Sequence, residues 1–362
     1  MPTWVLVNLS KSWGGGENWT LTATLILQKN NHQVNVIAYP DSPLSNHLHK
    51  KKIPHFLIKA RSISLFNPFK LIKTIIFLKK QPPDIIILNS SHELVFLGLI
   101  AKICGVPHIV FRRGIPQPLK THLLNKLYLK YIVTRLIVNS QATLEVVTRN
   151  LSNEIINLNP SVIYNGIDYN QWNKINFTTP NSALVIGVAG RLSYEKGIDR
   201  ALLIFEYIIK NSDINVELWI MGEGEEKEVL INLAKDLNIA SFVKFIGFSN
   251  NPIDIMSRWS ILIFPSRWEG FGFVLIESMC LGIPPVAFDI GANSEIINNG
   301  KTGFIVEDGN IAKAGELIIV LLKNDHLRSE FAENGRVHVI NNFSIDAMVN
   351  KLELLLDDDS AI

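Results

Sequence analysis

Cysteine is nearly absent: Cys104 and Cys280 are the only two in 362 residues. Both fall in apolar, helix-like contexts, which points away from a disulfide framework and toward buried free thiols in a reducing compartment. Long hydrophobic runs are missing as well. Nothing approaches the roughly 20 apolar residues of a membrane-spanning helix, because the stretch from Leu94 to Val106 is broken by Lys102 and Gly105. No basic segment precedes an apolar one at the N-terminus, where Trp4-Val-Leu-Val7 reads as a first strand and not as a signal peptide. These absences predict a cytoplasmic protein. The first strand is not followed by Gly-x-Gly-x-x-Gly, and no Lys-Ser/Thr follows a glycine-rich loop, so dinucleotide and P-loop readings both fail. No internal Asp-x-Asp occurs either. The triplet Asp357-Asp-Asp359 ends an amphipathic segment and reads as a solvated helix end.

Acidic residues are scarce in one half only. Up to Asn165 there are 19 Lys and Arg against 6 Asp and Glu, a balance of +13, while the remainder has 16 against 27, or −11. The whole-chain value of +2 hides this division. A basic half predicts a polyanionic surface as partner: a membrane, a nucleic acid or a phosphorylated acceptor. No recognised nucleic-acid module accompanies the charge, which disfavours nucleic acid. Two stretches pair the charge with apolar residues. Phe69, Ile72 and Ile76 alternate with lysines up to Lys80, and Leu119 to Arg135 carries Lys120, Lys126, Lys130, Tyr128 and Tyr131. Basic amphipathic helices of this kind can lie on anionic bilayers, as a peripheral protein on the inner face of the plasma membrane would; they can equally be ordinary helices with a buried face.

What is abundant is apolar residue, at 47%, in strand-length runs bounded by Pro, Asp or Ser. Val5–Val7, Val34–Ile37, Ile85–Leu88, His108–Val110 and Leu136–Val138 alternate with helical patterns near 17–30, 68–80, 92–104, 119–132 and 141–149. After Asn165 the alternation restarts with Ala183–Ala189, Val216–Ile220, Val243–Ile246, Ile261–Phe264 and Pro285–Ala287. The repeat predicts an α/β protein with a parallel sheet in each half. The turn-rich stretch from Tyr164 to Ser182 reads as the linker, giving domains at 1–165 and 166–344. An amphipathic helix near Ile345–Leu356 closes the chain.

Ligands of open α/β folds bind beyond the C-terminal ends of the strands, so residues just after apolar runs are the candidates. Gly190-Arg-Leu-Ser-Tyr-Glu-Lys-Gly197 follows one such run. Arg191 stays charged at any working pH and presents a fork that fits phosphate oxygens; Lys196 adds a compact second cation. Both could stabilise negative charge on a departing diphosphate, or could simply pair with Glu195, Asp199 or Asp254. A second run, Ile261–Phe264, leads into Glu269-Gly270-Phe271-Gly272-Phe273-Val274 and then Glu277. The glycines open the backbone before a helix whose free amides suit an anion. Carboxylates at 269 and 277 can each accept from vicinal sugar hydroxyls. The plainer alternatives are a first-turn helix-dipole carboxylate for Glu277 and a strand-end surface charge for Glu269. Near the N-terminus, Gly14-Gly15-Gly16 after the first strand allows close backbone approach to a ligand.

Taken together these segments resemble the retaining glycosyltransferases of family 4. The resemblance rests on Gly-Gly-Gly-Glu17, Val162–Asp168, Gly190–Gly197, Met221–Gly224, Phe245–Phe248, the Glu269-x7-Glu277 signature, Gly291–Glu295 and Asn299–Val306. It implies the GT-B architecture: two Rossmann-like parallel-sheet domains facing a central cleft, the first (1–165) binding acceptor and the second (166–344) a nucleotide sugar. Residues 345–362 would form a helix packing back on the first domain. Arg191 and Lys196 would hold the diphosphate and, with Glu269, form the catalytic set. Glu277 would hold the ribose, and Gly190, Gly247, Phe248 and Gly270 to Val274 would complete the donor site, with Gly15 and Gly16 closing over the donor. The implied donor is a UDP-, GDP- or ADP-sugar. The implied acceptor is a glycan or lipid-linked molecule of cell-envelope polysaccharide, lipopolysaccharide or glycolipid synthesis. No cofactor or metal is expected. The competing readings are an inactive sugar-binding partner subunit and a sugar-nucleotide epimerase or phosphorylase of the same fold. Many family members carry His-Gly where this chain has Arg113-Gly114, so Arg113 becomes an acceptor or donor candidate. His92, in Asn89-Ser-Ser-His-Glu93 after a strand end, is another; the plainer alternatives are a helix-capping or surface role for His92 and a salt-bridged structural role for Arg113.

Overall fold

The structure is a computed structural model that describes residues 1–119, 123–149, 151, 158, 160–172 and 184–357. The chain divides into two compact units, one of Met1–Gly166 with the chain from Ile345, the other of Ile167–Ser344.

The first unit is built on β1 (Thr3–Asn8), β2 (Gln33–Ala38), β3 (His55–Leu57), β4 (Ile85–Leu88), β5 (His108–Arg113), β6 (Arg135–Val138) and β7 (Ser161–Val162). Among the described residues they form one parallel sheet in the order β3-β2-β1-β4-β5-β6-β7. A parallel sheet covered on both faces needs strands apolar on both sides. Ile85-Ile-Ile-Leu88 meets that demand, with all four residues buried. The helix Ile345–Asp357 belongs to this unit: Ile345, Met348, Val349, Leu352 and Leu355 recur at helical spacing and pack against Trp4, Leu6, Trp19, Ala23 and Leu27. A hydrogen bond of 2.8 Å between His32 Nε2 and Glu353 Oε1 holds its polar edge. Asp358 and Asp359 of the acidic triplet lie outside the described residues, as does Lys120.

The second unit contains β8 (Leu184–Ala189), β9 (Val216–Met221), β10 (Val243–Gly247), β11 (Ile261–Phe264), β12 (Pro285–Phe288) and β13 (Phe304–Val306). Its described strands are also all parallel, in the order β10-β9-β8-β11-β12-β13. The helix Ile198–Asn211 buries Ile198, Ala201, Leu202, Phe205 and Ile208 on this sheet. Both cysteines are unpaired, Cys280 buried and Cys104 half-buried. Among the described residues no helix is long and apolar enough to cross a membrane.

In each sheet the chain order reverses once, between β1 and β4 and between β8 and β11. Connections leave such a pair of neighbouring strands in opposite directions, which opens a crevice beyond their C-terminal ends. Topology therefore marks two places before any side chain is considered.

Both basic amphipathic stretches leave apolar side chains in solvent among the described residues: Phe69, Ile72 and Ile76 in the first, Leu127 and Tyr131 in the second. The helix Leu123–Tyr131 buries Tyr128 and Leu129 in the core.

Candidate active site

In the second unit, the reversal between β8 and β11 brings the two candidate loops together. Lys196 Nζ donates to Glu269 Oε2 at 2.5 Å, joining positions 73 residues apart. The lysine stem lies across Gly190, where an added Cβ would sit 3.5 Å from it. Two other glycines make the approach possible. Gly197 has φ +63°, and a Cβ there would stand 2.2 Å from the carbonyl oxygen of Pro265, just past β11. Gly291 has φ +53°, and its Cβ would stand 2.2 Å from the carbonyl oxygen of Glu269. Both combine a left-handed backbone with contact too close for any side chain.

Arg267 is the residue that sequence reasoning missed. Its guanidinium donates to both carboxylate oxygens of Asp199, at 2.8 and 2.5 Å, and to the carbonyl oxygen of Tyr194 at 2.8 Å. Its own amide donates to Glu195 O at 2.8 Å, and its guanidinium lies 4.0 Å from the centre of the Tyr194 ring. Burial alone would raise the Asp199 carboxyl, but the hydrogen bonds and charge of Arg267 outweigh it and hold the group below its ordinary range. Asp199 is thus the partner of Arg267 and not of Arg191 or Lys196, while Asp254 is bonded to Asn251. Arg267 rivets the loop carrying Lys196 to the loop carrying Glu269. Arg267→Lys should therefore lower turnover about tenfold with little change in fold, since an ammonium cannot span Asp199 and Tyr194 together. Steady-state kinetics beside a thermal melt would check this.

Arg191 is exposed, and its guanidinium makes no hydrogen bond or ion pair among the described residues, though its charge helps hold the Glu195 carboxyl below its ordinary range. Glu277 lies one turn into the helix Phe273–Cys280. It keeps part of its surface open, yet desolvation by the surrounding protein pushes its carboxyl up to about 7. Its carboxyl oxygens have no hydrogen-bond partner among the described residues. At the start of the same helix the Leu275 amide returns to Gly272 O at 3.0 Å, whereas the amides of Phe273 and Val274 have no protein acceptor among the described residues. The Gly270 amide is taken up by Glu269 Oε1 at 3.2 Å. Phe271 is buried against Phe273 and Phe343, so only its backbone can meet a ligand. Gly247 ends β10, its carbonyl accepting from Gly222 N at 2.9 Å, and Phe248 beside it is exposed.

Gly15, Gly16, His92 and Arg113 belong to the first unit. Gly15 and Gly16 open the helix Gly15–Lys29 that follows β1. Glu93, at the reversal between β1 and β4, accepts from the amides of Leu9 (2.8 Å), Asn89 (2.7 Å) and Ser90 (2.9 Å). Burial still dominates those bonds and raises its carboxyl to about 7. His92 is exposed, with Nδ1 2.9 Å from Ser62 Oγ. Arg113 is half-buried beside Phe111, and its Nε has no hydrogen-bond partner among the described residues. Its neighbour Arg112 is the deeper cation. Arg112 lies 4.0 Å over the Trp19 ring and donates to Asn89 Oδ1 at 3.1 Å and Asn165 Oδ1 at 2.9 Å. Desolvation by burial lowers its pKa to about 9, against the opposing charge of Glu17.

Two parallel-sheet α/β units, the second with cations and carboxylates at its strand reversal, define a GT-B protein. Residues 13–171 match the family model described as Glycosyltransferase Family 4, and residues 171–338 that described as Glycosyl transferases group 1. An uncharacterized glycosyltransferase of Methanocaldococcus jannaschii is 30% identical over 296 residues, 78% of each chain. The UDP-Gal:alpha-D-GlcNAc-diphosphoundecaprenol alpha-1,3-galactosyltransferase of Escherichia coli is 26% identical, over 97% of this chain and 96% of its own. Among solved structures, HepE of Anabaena in complex with UDP superposes with a TM-score of 0.80 at 21% identity, covering 99% of this chain and 100% of its own. The chain belongs to glycosyltransferase family 4 and is an enzyme of sugar transfer.

Proposed function

We propose that this enzyme transfers a sugar from a UDP-sugar, with retention of anomeric configuration, to a lipid-linked glycan at the cytoplasmic face of a membrane. The observation that carries the reading is the Lys196–Glu269 pair at the reversal between β8 and β11. A donor diphosphate offers Lys196 a stronger anion than one carboxylate. Lys196 then turns to phosphate, and Glu269 is released to accept hydroxyls of the transferred sugar. Arg191 and the Phe273 and Val274 amides supply further positive potential, and Glu277 accepts the two ribose hydroxyls. As the bond from the anomeric carbon to the β-phosphate oxygen breaks, these groups stabilise the charge left on the diphosphate. The acceptor oxygen bonds the same carbon from the same face, and its proton passes to the departing phosphate oxygen. Fixed cations perform the neutralisation, so no metal is required by this scheme. UDP as the leaving group follows the donor named for the E. coli relative and the nucleotide bound by HepE. The lipid-linked acceptor follows the diphosphoundecaprenol substrate of the former.

Titration calorimetry with UDP, GDP and ADP tests the donor. UDP should bind in the presence of EDTA and the other two more weakly; binding of none of the three would overturn the reading.

A further inference from the structure

We infer that the turn Ser62–Phe66 and the helix Pro68–Lys80 of the first unit form a docking surface for an anionic phospholipid bilayer, which deepens the membrane part of the function proposed above. Five large apolar side chains stand in solvent here: Ile63 is 74% exposed, Phe66 86%, Phe69 83%, Ile72 56% and Ile76 61%. A patch so continuous on one short segment marks an interaction surface. The opposite side of the helix already has its partner. Thr74 and Leu78 are buried, and Leu71 and Ile75 pack on the core, so the outward face is surplus to folding.

The helix is also formed in advance. Pro68 occupies its first position, and Asn67 Oδ1 accepts from the Lys70 amide at 3.1 Å. No ordering is left for the partner to impose, unlike a segment that folds only on contact.

Charge identifies the occupant. Between Asp41 and Asp84 the sequence holds nine Lys and Arg and no Asp or Glu. None of the nine is in an ion pair among the described residues. Lys70 reaches the Lys59 carbonyl and Lys73 lies 5.3 Å from the centre of the Phe56 ring, which keeps both beside the apolar face. Lys80 shares that face by helical spacing, and Lys79 flanks it. An exposed stripe of Phe and Ile flanked by cations without ion pairs among the described residues suits the boundary between acyl chains and anionic headgroups. Each cation near such a surface multiplies partition about fivefold. A second copy of this chain would bring the same cations face to face, which disfavours self-association through this surface.

The test is flotation of the full-length protein with vesicles of phosphatidylcholine, with and without phosphatidylglycerol. The wild type should float with the anionic vesicles, much less with the neutral ones, and less in high salt. Phe66→Ser with Phe69→Ser should reduce binding at least tenfold, and Lys79→Glu with Lys80→Glu should reduce it severalfold. All four positions are at the surface, so melting temperature and UDP affinity should be unchanged. Equal binding to both vesicle types, or undiminished binding of the Phe66/Phe69 variant, would overturn the inference. So would self-association of the wild type that the Phe66/Phe69 variant abolishes, since the face would then join copies of this chain. A protein that floats as expected but binds no UDP would uphold the docking surface and overturn the donor site instead.

Discussion

Replacing Lys196 with Ala should reduce kcat by about two to three orders of magnitude, the usual consequence of losing one group aimed at transition-state charge. The nucleotide's KM should move far less, because Arg191 and the helix amides remain. Stability should hardly change. The ion pair with Glu269 is half-buried, and partly exposed pairs of this kind contribute about 0–1 kcal/mol. After substitution, Glu269 still has the Gly270 amide. Arginine at 196 should not restore turnover. The lysine stem passes over Gly190 in a space fitted to methylenes ending in a compact ammonium, and a planar fork requires a different approach. If Lys196→Ala kept full turnover, the pair would be a surface salt bridge and nothing more.

Glu277→Ala should weaken UDP binding about 30- to 100-fold, the value of about one hydrogen bond to a charged acceptor. The pH dependence distinguishes a ligand-binding carboxylate from a structural one. Burial raises Glu277 to about 7 in the empty protein, so at neutral pH much of it is protonated. Ribose hydroxyls favour the ionised form, and binding should release a proton. The affinity of wild type relative to Glu277→Gln should therefore fall as pH drops below 7; the ratio cancels the titration of UDP itself. The stability of the empty protein runs the other way. A carboxyl raised in the folded state contributes its full stability below the unfolded value near 4.5 and loses it as pH rises through about 7. Glu277→Gln should thus melt higher than wild type at pH 8 and show no such advantage at pH 4.5. Paired melts and titrations at those pH values check both signs.

The strands legible in the sequence were those long enough to bury both faces, such as Ile85–Leu88 and Ile261–Phe264. The edge strands β3, β7 and β13 span two or three residues each, too few to display any period, and the surrounding sheet decides them. Arg191, Lys196, Glu269 and Glu277 could be picked out because they stand directly after apolar runs. That Lys196 and Glu269 touch could not, since contact depends on which strands are neighbours. Arg267 escaped for a related reason: its partner Asp199 is 68 positions away and sits among cations that looked like its natural partners. Arg112 and Arg113 are adjacent, and alternation along a strand says only that they face opposite ways. It took Trp19, Asn89 and Asn165 to show that Arg112 is the buried one. Phe69, Ile72 and Ile76 stood out as a stripe, whereas Ile63 and Phe66 join it through a 3-10 turn that helical spacing does not anticipate.

The central claim is that Arg191, Lys196 and the helix-end amides grip a diphosphate. Calorimetry of UDP against uridine, in wild type and in Arg191→Ala with Lys196→Ala, tests it most directly. The wild type should prefer UDP by at least a hundredfold, about 2.7 kcal/mol, and the double variant should lose most of that preference while binding uridine as before. An undiminished preference in the variant would mean that the diphosphate is held elsewhere, and the assignment would fail.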